Sequence, residues 1–223
     1  MKHNIGHRER IRDRLINSKP GGIEDYELLE ILLCFAFPRK DVRILAKKLI
    51  AKYGSFAQVI SADKESLLSM EGVGPAVLSC FRLVKEGATR LSRKEIQNKP
   101  ILSSWKCLLD YCRITIGHLK KEVFMMLYLN SQNELIAEDL QEYGTVDRVS
   151  IYPREIAKRA LFLEASAIIL VHNHPGGNTK PSKDDINTTL EIEKALSPFN
   201  IRIHDHIIIS DKSFFSFKSE GLL

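Results

Sequence analysis

The chain has 223 residues, 44% hydrophobic and 27% charged, with a net charge of +5. That balance suits a globular protein with one large or two small cores. It excludes a membrane partner, because no run approaches the ~18 uninterrupted apolar residues that span a bilayer. The polar start lacks the apolar core of a secretory signal, and the four cysteines form no CxxC pair, so a cytoplasmic protein with reduced thiols is expected.

The first half reads as helices. Residues 23–37 carry Leu28, Leu29, Ile31, Leu32 and Phe35 at three-to-four spacing, and residues 41–53 repeat the pattern with Val42, Leu45, Ala46, Leu49 and Ile50. Asp41 is placed to cap the second of these and Gly54 to end it. Short helices are predicted over 55–60 and 63–70, the latter capped by Asp63, and a long one from Pro75 to about Ser92. His3 and His7 fall in a tail expected to be mobile. The polar stretch 94–100, closed by Pro100, predicts a linker between an all-α domain over 1–95 and a second domain over 101–223.

The positive charge belongs to this helical half. Residues 1–100 hold 19 Lys and Arg against 12 Asp and Glu, whereas residues 101–223 hold 14 against 16. The imbalance favours a polyanionic partner for the first domain. Gly72-Val73-Gly74-Pro75 supports that reading, since two glycines let the chain turn tightly and bring the next helix's first amides to a phosphate. Lys85, with Arg82, Arg90, Arg93 and Lys94, would extend the contact. The segment resembles a helix–hairpin–helix motif, which grips DNA through its backbone without reading bases. The plainer alternative is a tight helix–helix turn with a solvated basic face.

The second half mixes periods. A helix over 104–116 precedes a β-rich run at 122–130, and 134–143 can pair with it across a turn at 130–133. A helix with Pro153 at its first position covers 153–163. A buried strand at 165–171 leads into His172, and a helix over 182–196 and a strand over 202–210 follow. Strands flanked by helices predict an α/β domain.

His172 and His174 end a strand, where a spacing of two puts both on one face. A Gly- and Pro-rich turn then leads to Ser182 and Asp185. Two imidazoles and a carboxylate converging on one ion, with a coordination position left open, is a zinc arrangement of catalytic type. Ser182-x-x-Asp185 is also close to a capping box, which needs no metal. Capping leaves unexplained two histidines at the end of a buried strand, where unpaired imidazoles are costly. His204 and His206 alternate on a later strand and read as ordinary strand residues.

The pattern His172-x-His174-Pro175, six residues, Ser182-x-x-Asp185 resembles the JAMM (MPN+) metalloprotease signature. The run HNHPGGNTKPSKDD is more closely similar to the bacterial RadC family (UPF0758), long labelled DNA repair proteins. Gly144-Thr145, Tyr152-Pro153-Arg154-Glu155-Ile156, Asp205-His206-Ile207 and the closing Glu220-Gly-Leu-Leu match it too, so the likeness covers essentially the whole chain. It implies an α/β fold in which a helix–hairpin–helix-like domain precedes a JAMM/MPN-type domain, cytidine-deaminase-like in architecture. It implies one Zn2+ held by His172, His174 and Asp185, and a protein or peptide substrate. Glu122 matches the signature's upstream glutamate and would act as acid/base, with Glu155 and Glu134 as lesser candidates. Ser182 would donate to the oxyanion of a tetrahedral intermediate. Three functions follow: a zinc hydrolase brought to DNA, a DNA repair or recombination accessory with a structural zinc, and, less well fitted, a metal-dependent nuclease.

Overall fold

A computed structural model of the chain describes residues 2–97, 99–142 and 152–223; Tyr143 and the Gly144-Thr145 pair lie outside them. The chain divides into two compact units, Met1–Gly87 and Ala88–Leu223. Among the described residues no helix is long and apolar enough to cross a membrane.

The first unit is helical: α1 (Lys2–Asn17), α2 (Asp25–Ala36), α3 (Arg43–Tyr53), α4 (Phe56–Ser61), α5 (Lys64–Leu68) and the opening turns of α6 (Pro75–Ile96). Leu29, Leu33, Leu49, Val59, Val77 and Phe81 are central to its core. The expected caps are present in substance. Asp63 accepts the amide of Ser66 at 2.7 Å, and Ser55, which was not among the expected caps, that of Gln58 at 3.2 Å. Gly54, at φ 99°, donates to the Ile50 carbonyl and stops α3. Asp41 accepts the amide of Arg43, though Val42 holds the cap position itself.

Two expectations change. The N-terminal residues are helical rather than a loose tail: Ile11 is buried, His7 lies 2.9 Å from Glu30, and Arg14 makes two bonds to Glu27 at 2.6 and 3.1 Å. Buried carboxylates of α2 anchor α1, which has too few apolar residues to announce itself by periodicity. Likewise α6 continues through Ile96, where polar neighbours had suggested a linker. Ile96 is fully buried in the core of the second unit, and that single anchor carries the helix past Lys94.

The second unit adds α7 (Trp105–Cys112), followed by a π-helical turn (Arg113–Gly117), then β1 (Val123–Leu129), β2 (Leu135–Glu142), α8 (Pro153–Phe162), β3 (Ala167–Asn173), α9 (Lys183–Leu196), β4 (Arg202–Ile209) and a short β5 (Phe214–Ser216). The strands form one mixed sheet in the order β2-β1-β3-β4-β5. Only β3 and β4 are parallel, and α9 makes the crossover between them. Each face of the sheet has its own core. Met125, Leu127, Ile169, Val171, Ile207 and Ile209 pack with Leu108, Cys112 and Ile116, whereas Phe124, Met126, Ile168 and Leu170 pack with Ile156, Ala160, Ile192 and Leu196. Covering on both faces explains why β1 and β3 are apolar at almost every position and do not alternate.

Candidate metal centre

The parallel step from β3 through α9 to β4 sets the carboxyl end of β3 beside the start of α9. His172 is the last residue but one of β3, His174 directly follows the strand, and Asp185 lies in the first turn of α9. The antiparallel register pairs Phe124 with His172. Continued by two residues, it sets Glu122 opposite His174. Among the described residues, Glu122, His172, His174 and Asp185 form the one group fit to hold a metal, their candidate ligand atoms all within 4.8 Å of one another.

Hydrogen bonding fixes the chemistry of the two rings. Nδ1 of His174 donates to the Asn178 carbonyl at 2.6 Å. Nδ1 of His172 lies 2.9 Å from Nε2 of His206, whose Nδ1 is 2.6 Å from the Thr189 hydroxyl. That hydroxyl donates its one proton to the Asp185 carbonyl at 2.7 Å. It can therefore only accept from His206, and a neutral His206 can only accept from His172. With this sense of bonding both candidate ligand rings, when neutral, carry their proton on Nδ1 and turn Nε2 lone pairs to each other at 3.0 Å. Two facing lone pairs repel unless a cation lies between them. Asp185 Oδ1 is 3.2 Å from Nε2 of His172, and Oδ2 is 3.6 Å from that of His174. Donors about 2.0–2.2 Å from one tetrahedral ion are separated by about these distances, so the residues fit a zinc-type centre.

Burial alone would raise the Asp185 carboxyl, but the contacts with His172 and His174 and the bond from the Ser182 amide outweigh it and hold the group well below the usual range. The contact with Asp185 raises His174 in turn. Burial, with His172 beside it, pushes His206 well below its ordinary value and keeps it neutral.

Packing holds the rings still. Phe124 stacks on His172 at 5.8 Å between centroids, and Phe217 on His206 at 4.5 Å. Ser182 makes the full capping box of α9, accepting the Asp185 amide while its own amide and hydroxyl donate to Asp185 Oδ2, both at 2.7 Å. Capping and ligation are therefore not alternatives: one carboxylate oxygen is tied to the cap and the other faces His172. Glu122 is half-exposed and stands 4.0 Å from Nε2 of His172, too far for a hydrogen bond and far enough for a water between them.

Glu155 and Glu134 stand elsewhere. Glu155 pairs with Arg154, and Glu134 accepts from the Asn130 side chain at the β1–β2 turn. His204 is outside the cluster, at a bulge that breaks the alternation of β4, so it and His206 do not act as a pair. Three neighbours of the cluster lie outside the predicted site residues: His206, read as an ordinary strand residue although Asp205-His206-Ile207 belongs to the family likeness, Asn173 within the histidine run, and Thr189, which carries no motif. Asn173, fully buried between the two ligands, accepts the Val123 amide at 2.7 Å and donates to the carbonyls of Leu119 and Lys121 at 3.1 and 3.0 Å. It clamps the segment that carries Glu122.

In the first unit, Gly72 takes φ 87° between α5 and α6, and Val73 turns its side chain into the core. The loop and the first turn of α6 border a hollow lined by Phe37 and by Gly72 through Val77. Lys85 is not brought to this loop. It lies ten residues beyond Pro75, about 15 Å of helix rise, half-buried, with burial and Arg82 lowering its pKa.

Comparison with known proteins follows the same division. The RadC-like JAB domain family matches residues 102–222, and the UPF0758 N-terminal family matches residues 3–79. A UPF0758 protein of Ruegeria pomeroyi is 44% identical over 217 residues, 97% of this chain and 97% of its own. Another, of Rhodobacter capsulatus, is 45% identical over 213 residues, 96% of this chain and all of its own.

Proposed function

This chain belongs to the RadC-like JAB-domain (UPF0758) family, and from that premise and the geometry we propose that it is a single-zinc hydrolase of the metallopeptidase or isopeptidase type. The observation that carries the reading is the pair of Nε2 atoms 3.0 Å apart, each with its Nδ1 bonded elsewhere and with Asp185 beside them.

His172, His174 and Asp185 would hold the ion. When bound, zinc supplies Lewis-acid polarisation of a carbonyl and acidifies a water molecule. Glu122, free of other bonds to the cluster and open to solvent on one side, takes the proton of the attacking water and returns it to the leaving nitrogen. Ser182 turns its hydroxyl from Asp185 toward the developing oxyanion. A purely structural ion would need neither residue, and this favours turnover over an accessory role. One His/His/Asp set also differs from the carboxylate-rich, often two-metal sites of nucleases.

Metal content decides the first step. Wild type should carry one zinc per chain and the His172→Ala/His174→Ala variant none. Metal-free wild type, or a double variant that keeps its zinc, overturns the site. For turnover, Glu122→Gln should retain zinc and lose about 10²–10⁴-fold in cleavage of fluorogenic peptides or an ε-lysyl isopeptide. Equal cleavage by the variant removes Glu122 from the mechanism.

We further propose that the helical unit contacts DNA through the Gly72–Pro75 turn, a reading supported by its basic balance and by the open space around Gly74. Gly74→Asp should weaken salt-sensitive binding to duplex DNA well beyond any effect of Lys85→Ala; equal binding by wild type and Gly74→Asp ends the reading.

A further inference from the structure

We infer that Thr189 and His206 are positioning residues that set His172 in the tautomer able to hold the ion. The inference rests on the metal-centre reading above and adds to it a determinant of affinity outside the ligand set.

The contacts form a closed circuit. It starts at the main-chain carbonyl of one ligand, Asp185, passes through the Thr189 hydroxyl and both nitrogens of His206, and ends on Nδ1 of another ligand, His172. Every member along the way is buried, Thr189 at 1% exposure and His206 at 0%, so water cannot substitute for a missing partner. The direction of each bond follows from the metal end. With Nε2 of His172 given to the ion, its proton is on Nδ1 and donates to Nε2 of His206; His206 then carries its own proton on Nδ1 and donates to the threonine oxygen, whose proton is left for the Asp185 carbonyl. The circuit delivers a bare Nε2 on His172 to the metal position.

Removing the hydroxyl reverses the logic. Without an acceptor at position 189, a buried Nδ1–H on His206 is unsatisfied, and the ring relieves this by carrying its proton on Nε2 instead. That proton faces His172 Nδ1, so His172 must carry its own proton on Nε2, aimed at His174 and Asp185. Each ring keeps one proton, but the lone pair that would bind the ion is now capped. Partners of this kind typically govern metal affinity by about 10–100-fold. A merely structural Thr189, tying α9 to β4, would lower the melting temperature and leave affinity unchanged.

The test uses the full-length chain, zinc, and a competing chelator at fixed pH. Thr189→Val should bind zinc about 10–100-fold more weakly than wild type, while Thr189→Ser, which restores the hydroxyl, should stay within about threefold. Melting of the metal-free variants shows that affinity and fold are separate. Long-range 1H–15N spectra of metal-free wild type supply a second readout, with the protons of His172 and His206 expected on Nδ1. Wild-type affinity in Thr189→Val, or a proton on Nε2 of His206, overturns the inference; should that variant fail to fold, the spectrum decides alone. Wild type that takes up no zinc overturns the metal centre itself, a distinct result.

Discussion

Replacing Asn173 with alanine should unfasten the segment that carries Glu122 while leaving both histidines in place. The side chain is fully buried and makes three hydrogen bonds, one from the Val123 amide and two to the carbonyls of Leu119 and Lys121. The β1–β3 ladder stops at Phe124 and His172, so the amide takes the place of the next rung. A typical buried bond contributes about 1 kcal/mol, and an orphaned group costs about 1–3 kcal/mol. Three bonds, partly recovered by water at the exposed Glu122 side, give a loss of roughly 3 kcal/mol, or a fall of roughly 6–12 °C in melting temperature for a unit of this size. Asn173→Asp keeps the acceptor for Val123 but turns a negative oxygen toward two carbonyls, and should be no better. The assay is thermal melting with and without zinc, together with hydrogen exchange at the Val123 amide. Zinc should still bind, exchange at Val123 should accelerate, and any hydrolysis should fall with Glu122 displaced. A variant that melts within about 2 °C of wild type with Val123 still protected would refute the clamp.

Other outcomes follow from single features. Ser182→Ala removes the cap of α9 and should cost about 1 kcal/mol, against only a few tenths for Ser182→Gly; equal melting of the two variants would contradict the capping box. Gly54 sits at φ 99°, and a Cβ there would meet the Gln58 side chain at 2.5 Å, so Gly54→Ala should destabilise by about 1–2 kcal/mol in a denaturant titration. Burial, with Lys218 and Arg202 nearby, lowers the pKa of His204, and burial lowers that of His206 further. Both charge near pH 6.5 in the unfolded chain, so their stabilisation is complete above that pH and declines as pH falls toward the lowered values, by up to about 1.4 kcal/mol per pH unit for each histidine. Metal-free His204→Gln should therefore lose less stability than metal-free wild type between about pH 7 and about pH 5; parallel curves would exclude His204 from the effect.

Local signals carried most of the element order. Periodicity placed α2, α3 and α9 to within a few residues, and Asp63, Gly54 and Pro153 marked ends that the helices keep. Where a helix owes its existence to a distant partner, the signal was absent. The first helix is held by Glu27 and Glu30, and the end of the sixth by the burial of Ile96. The short β5 is likewise unmarked locally, and buried Asp205 holds it in place by accepting from the Ser216 hydroxyl and the Lys218 amide.

The same division runs through the metal centre. The candidate ligands His172, His174 and Asp185 were readable from sequence because one strand end, one tight turn and one helix start bring them together locally. Glu122 stands fifty residues before His172 and reaches the cluster only through strand register, which the order of residues does not encode by itself. Nor could the sequence say which nitrogen of His172 is bare. A proton's place on an imidazole is set by what the opposite nitrogen touches, and here that partner, His206, arrives from a strand beyond the crossover helix.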